Sequence, residues 1–206
     1  WMANEWRATY AGKRIGERQA MTFRAAIASG LLALIAACGP PPQTQPHPAS
    51  PSASSEPPVA TPASQFAAHA AMFEAYQIQA AQIAQQSAQS AAAKAYATAV
   101  LAEHQATLQQ LNAAAQAAGM PAPSGALDEN SAAYLDMLRR TNPQTFDVTY
   151  ASQQALMSMS ASGLYDSFTS TAPDSPLKQW AQGLSQHVHD GITAARQLAR
   201  DVTARR

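Results

Sequence analysis

From Gln65 onward the chain is written in small apolar residues broken by polar ones at helical spacing. Phe66, Ala70, Phe73, Gln77, Ala80 and Ala84 recur at alternating steps of four and three, which places them on one face of a helix. Continuing that register would turn Ser87 and Lys94 inward, whereas a fresh seam runs through Ala97, Leu101, His104, Leu108, Leu111, Ala115 and Ala118. The helix is therefore expected to break near Ser87-Ala88-Gln89-Ser90, with Ser90 as the N-cap of the next one. Gly119 and Pro121 end that second helix. A short helix, about Asn130 to Arg140, buries Tyr134, Leu135 and Leu138. Asn142-Pro143 interrupts it and opens a third long helix carrying Phe146, Tyr150, Gln153, Met157, Leu164 and Phe168. A loop with Pro173 follows, then Ser175 as N-cap and Pro176 at the first helical position. The last helix has the cleanest seam, Leu177, Ala181, Leu184, Val188, Gly191, Ala195, Leu198 and Val202. Four long amphipathic helices, an extra short one between the second and third, and no strand signal predict an all-α four-helix bundle over residues 64–206.

Composition sharpens this picture. Between Gln65 and Ala118, 22 of 54 residues are alanine, with no glycine or proline, so helical propensity is high throughout. One helix of that length would run about 80 Å, too long for a domain of this size, which supports the break. Alanine-rich seams imply closely spaced helices.

The region before residue 64 reads differently. Residues 21–37 combine Arg24 with a 13-residue apolar run from Ala25 to Ala37, followed by Cys38, the only cysteine of the chain. The run is too short for a membrane span, which needs about 20 residues. Ile35-Ala36-Ala37-Cys38 resembles the lipobox of a bacterial lipoprotein signal peptide. That resemblance implies cleavage before Cys38 and acylation of its thiol, palmitate included. Gly39 in place of an Asp implies sorting to the outer membrane, on its periplasmic side. Residues 1–20 begin at Trp1 and precede Met21; they are expected to be a non-native upstream segment, with Met2 and Met21 the competing starts. Residues 38–63 are crowded with proline, serine and alanine and cannot bury enough apolar surface to order themselves, so they read as a lipidated tether.

The formal charge of +0 conceals an asymmetry: from residue 39 onward there are 8 Lys/Arg against 11 Asp/Glu, a net of −3. No basic stripe is present, so no nucleic-acid partner is expected. With Cys38 acylated, thiol chemistry is excluded. The chain has no GxSxG, no phosphate-binding glycine loop and no HExxH. Glu74, Glu103, Asp136, Asp147 and Asp190 share no spacing suited to acid–base work and read as solvated faces or helix-end charges. His187 and His189 lie about 200° apart on their helix and cannot chelate one ion together, so they read as solvated or boundary residues. Among the polar or minimal residues that fall on seams are Gln77, His104 and Gly191. Gln77 and His104 are expected to satisfy each other or hold a water, and Gly191 to admit a closely approaching helix.

Several stretches together resemble a known family. Phe66…Gln77-Ile78…Ile83-Ala84, Lys94-Ala95-Tyr96-Ala97…Val100…Glu103-His104 and Leu108…Leu111 are similar to its first half. Phe146-Asp147…Tyr150…Gln154 and Leu177-Lys178-Gln179-Trp180-Ala181…Ala195-Arg196-Gln197-Leu198 are similar to its second. The chain resembles, over about residues 65 to 200, the domain of unknown function 4142 family of ferritin-like bundles. The resemblance implies inward Glu and His side chains of the kind found in ferritin-like metal proteins. In this alignment only Glu103-His104 is kept, while Gln77, Ser158 and Gly191 stand at the other three positions. The implied site is thus a vestigial polar core, with no metal and no cofactor expected. The expected function is a non-enzymatic envelope lipoprotein, held to the membrane at Cys38 and meeting an envelope protein partner. A ferritin-like metal-binding or oxidase domain with a degraded site is the alternative, and a sensor binding an apolar ligand ranks below both.

Overall fold

The computed structural model describes residues 62–204; the expected upstream segment, signal peptide and lipidated Cys38, and all but the end of the expected tether, lie outside the described residues. Among the described residues five helices follow one another: α1 (Ala63–Ser87), α2 (Ala91–Ala117), α3 (Glu129–Arg140), α4 (Pro143–Thr171) and α5 (Pro176–Thr203). No strand occurs among the described residues.

Local chemistry sets the boundaries. Ser90 caps α2 by accepting from the Ala93 amide at 3.1 Å. The Asp147 carboxylate accepts from the amides of Gln89 and Ser90 at 2.9 and 2.8 Å, pinning the α1–α2 turn to the first turns of α4. Gly119, with φ +75°, closes α2: its amide donates to the Gln116 carbonyl and that of Met120 to the Ala115 carbonyl, both at 2.9 Å. Asp128, Asn142 and Ser175 cap α3, α4 and α5, and Pro143 and Pro176 occupy first-turn positions where no amide donor is needed.

α1 packs on α2 and α4, and α5 packs on the same two. Phe66 near the start of α1 stacks on Phe168 near the end of α4, and Tyr76 farther along α1 donates to Gln153 nearer the start of α4. These two helices are therefore antiparallel. Trp180, early in α5, meets the same Phe66, so α1 and α5 start at one end. Each long helix opposes both its neighbours, while α2 and α4 run the same way. The connection between them, residues 118–142 with α3, must therefore travel the length of the bundle, as in the single-crossover connectivity of ferritin-like bundles. Gly125, with φ +62°, lets this crossover lie on α1, where a Cβ would come 3.3 Å from the Ala71 carbonyl oxygen.

The expected seam of α1 is buried at every position; on α5 Leu177, Ala181, Val188, Ala195, Leu198 and Val202 are buried, while Leu184 and Gly191 are half-buried. Elsewhere the seams shift slightly. On α2 the buried face runs through Ala93, Tyr96, Ala97, Val100, Thr107, Leu111 and Ala115, leaving Leu101, His104 and Leu108 half-buried. On α4 it is Tyr165 that is buried, while Leu164 is half-buried. Tyr134 of α3 is likewise half-buried. A bundle face wider than 100° takes in positions on both sides of a single-residue seam.

Candidate functional site

Half-way along the bundle the alanine-lined core gives way to polar side chains. Glu74 of α1 is 1% exposed, one position past the seam residue Phe73. Its Oε2 lies 2.6 Å from Nδ1 of His104, on the facing side of α2. The Phe73 ring stands edge-on to the same imidazole, with centroids 5.5 Å apart. The residue before it on α2, Glu103, reaches the other way and contacts Nε2 of His187 on α5. Adjacent residues of α2 thus bind opposite neighbours, one pair per helix interface.

The two imidazoles feel these surroundings. Burial pulls the His104 pKa down, but the charge of Glu74, the hydrogen bond to it and the charge of Glu103 together leave it raised. For His187 the hydrogen bond to Glu103 leads, burial and the neighbouring His104 oppose it, and the net direction is again upward. Tyr165 of α4 is pushed well above the ordinary tyrosine value, first by burial and then by the charge of Glu74. Its hydroxyl, Gln77 Oε1 and both amide atoms of Gln154 are buried without a protein hydrogen-bond partner. Tyr76, one residue before Gln77, does have one, donating to Gln153 Oε1 at 2.9 Å, and Gln153 in turn donates to the Tyr134 carbonyl at 3.2 Å.

Three expectations need correction. His104 does not pair with Gln77; it pairs with Glu74, and Gln77 stays apart although it is buried. Neither Glu74 nor Glu103 is a solvated charge, and His187, a boundary residue as expected, is tied to Glu103. Gly191 sits opposite Ser158, but a Cβ there would come no nearer than 3.5 Å to Ser158 Oγ, an ordinary contact, so the helix spacing does not demand glycine. The members of the expected set therefore divide: Glu103 and His104 belong to the paired centre, Ser158 and Gly191 face each other between α4 and α5, and Gln77 is buried with its Oε1 unpartnered. Glu74 and His187 were read from the sequence only as solvated or boundary residues, Gln154 only as part of the resemblance, and Tyr165 was not singled out. The available signal was width: Glu74 and His187 flank seam residues Phe73 and Val188, and a broad inward face includes such flanking positions.

A second imidazole contact, His189 with Asp166, joins α5 to α4 at 3.1 Å but lies on the exposed surface. Among the described residues, no group of three or more His, Cys, Asp or Glu is placed to hold a metal ion. No described helix is long and apolar enough to cross a membrane.

A family model described as Domain of unknown function (DUF4142) matches residues 48–198, well over half of the chain. The protein belongs to the DUF4142 family. The match begins at residue 48, ahead of the start near residue 65 read from the sequence, and so takes in part of the proline-rich segment. No curated protein and no solved structure matches the chain. In this DUF4142 chain the polar centre is a set of contacts between helices: two carboxylates and two imidazoles, each engaged with the other kind across an interface.

Proposed function

We propose that this DUF4142 protein is a lipid-anchored envelope protein whose helical bundle serves as a non-enzymatic structural or interaction module. The observation that carries the reading is Ile35-Ala36-Ala37-Cys38 at the end of an apolar run headed by Arg24. The run is long enough for export and too short for a span. Acylation at one cysteine by more than one chain gives firm anchoring, where a single chain binds only marginally. The proline-rich stretch that follows would hold the bundle off the membrane surface at ~3.1 Å per residue. Gly39 supports the periplasmic face of the outer membrane as the destination, and a protein of the envelope as the partner. The non-enzymatic part is supported by the polar centre itself, whose charged groups are engaged with one another across helix interfaces.

Palmitate labelling of expressed wild-type chain and of Cys38→Ser tests the anchor. The wild type is expected to take up label and fractionate with the outer membrane, and the variant to lose both label and membrane association. Label retained in Cys38→Ser would sink the reading.

A further inference from the structure

We propose that the core on the inner side of the α1–α4 seam binds ordered water between the side-chain amides of Gln77 and Gln154. The outer side of the same seam fixes their placement. Tyr76 donates to Gln153 Oε1, and Gln153 Nε2 donates onward to the Tyr134 carbonyl of α3, so this pair is turned toward the crossover, which packs on α1 and α4. The next residue along each helix, Gln77 or Gln154, is rotated from it by about 100°. Because the two helices are antiparallel, both rotations lead to the same side, away from α3 and into the centre of the bundle. Each glutamine is 1% exposed.

Their polar atoms meet no protein partner there. Gln77 Oε1 and both Oε1 and Nε2 of Gln154 are buried without a hydrogen bond. The other two long helices bring only apolar side chains to this level. On α2 the contact of His104 with Glu74 sets the register, and three residues on from Glu74 it brings Leu101 and the buried Val100 opposite Gln77. On α5 Gly191 faces Ser158, so Ala195, one turn further on, lies level with Gln154, one turn back on α4.

A buried amide atom that meets no partner carries its full desolvation penalty, and three at one level weigh against the fold unless a small guest meets them. Water is the guest whose chemistry fits. A glutamine amide presents both an acceptor and a donor, and a water presents two of each. One water donates to Gln77 Oε1 and to Gln154 Oε1, and a second accepts from Gln154 Nε2. Glu74, the carboxylate nearest to Gln77 along α1, is already engaged by His104, so the site offers an ion no opposite charge. An apolar guest would leave the amides as they were. The bound water is thus the inner counterpart of the Tyr76–Gln153 bond and ties the α1–α4 seam on both its sides at one level.

The test uses the whole chain, isotopically labelled. In water-selective nuclear Overhauser spectra the methyl groups of Val100 and Ala195 are expected to show cross-peaks at the water frequency, with the sign of a long-lived internal water. Absence of cross-peaks from both residues would overturn the proposal. Thermal unfolding of three variants gives an independent readout. Methionine is close to glutamine in length and lacks its polar atoms, so Gln77→Met and Gln154→Met each remove an amide with little change of packing. With water bound, either single variant strands the water and the remaining amide, and the Tm should fall by several degrees. The double variant, in which apolar side chains replace amides and water together, should melt above the less stable single. If the amides are dry, each single substitution removes an unmet polar group and the Tm rises, which refutes bound water. Losses that simply add in the double variant refute it as well, because the two amides then share no guest. Stoichiometric release of a small organic molecule from the denatured chain, seen by mass spectrometry, would give the site a different occupant and end the proposal.

Discussion

At the end where α1 and α5 begin, the bundle is held by rings; half-way along, it is held by charges. Phe66 lies nearly parallel to Phe168 at a centroid distance of 3.9 Å, Tyr165 meets it edge-on at 5.3 Å and Trp180 closes the group at 6.3 Å. Both phenylalanines are fully buried, so their whole apolar surface counts toward stability. This attraction is non-directional and tolerates small slips between helices. At the waist the reverse holds: Glu74 and His104 lose water on folding, recover it only by meeting at hydrogen-bond distance, and permit no slip. The difference teaches a division of labour in a bundle built mainly from alanine. Rings at the end supply stability, while charge pairs at the waist fix the register of α2 against two neighbours.

The comparison breaks first at the aromatic end. Phe66→Ala removes the ring on which three other aromatics converge, leaving a cavity that alanine-rich surroundings can fill only by moving whole helices. A loss of about 3–5 kcal/mol is expected in urea unfolding. A loss below about 1 kcal/mol would show that the stability resides elsewhere. Next comes the waist. Glu74→Leu leaves His104 against an apolar wall and should cost about 3 kcal/mol, whereas Glu74→Leu combined with His104→Leu should recover most of that, since a packed apolar pair replaces a desolvated polar one. If the single and double variants are equally unstable, the pair itself is not what governs the site.

How far each region could be read from the sequence follows the same physics. The rings and alanines announce themselves by spacing, because apolar burial depends only on which face a residue occupies; Phe66, Phe168, Leu177 and Ala181 needed nothing else. The helix ends were legible for a similar reason, as Ser90, Gly119, Asn142 and Ser175 act on backbone groups a few positions away. The waist was legible only in part. His104 and Gln77 lie on seams, but which carboxylate meets which imidazole depends on rotation and register between helices, and a slip of about one helical turn, three positions, exchanges Glu74 for Gln77. A lone Glu beside Phe73 carries the same sequence signal whether it faces solvent or a buried histidine on another helix. Pairing across an interface is a tertiary fact, and single-chain periodicity holds no record of it.

The smallest expected effect sharpens the contrast at the waist's far side. Between α4 and α5, Gly191 faces Ser158, and a Cβ added to it would meet nothing nearer than 3.5 Å. Glycine in a helix interior costs about 1 kcal/mol relative to alanine, chiefly through the freedom it gives the unfolded chain. If the α2 seams are where register is enforced and the α4–α5 seam is merely in contact, Gly191→Ala should stabilise the protein by about 0.5–1 kcal/mol. Were the variant destabilised instead, α4 and α5 would have to approach more closely here than their spacing indicates, and Ser158 would join the positions at which this bundle has no room to give. The two outcomes place the rigid part of the waist on opposite sides of the bundle: on α2, where the charges are, or on α4, where the small residues are.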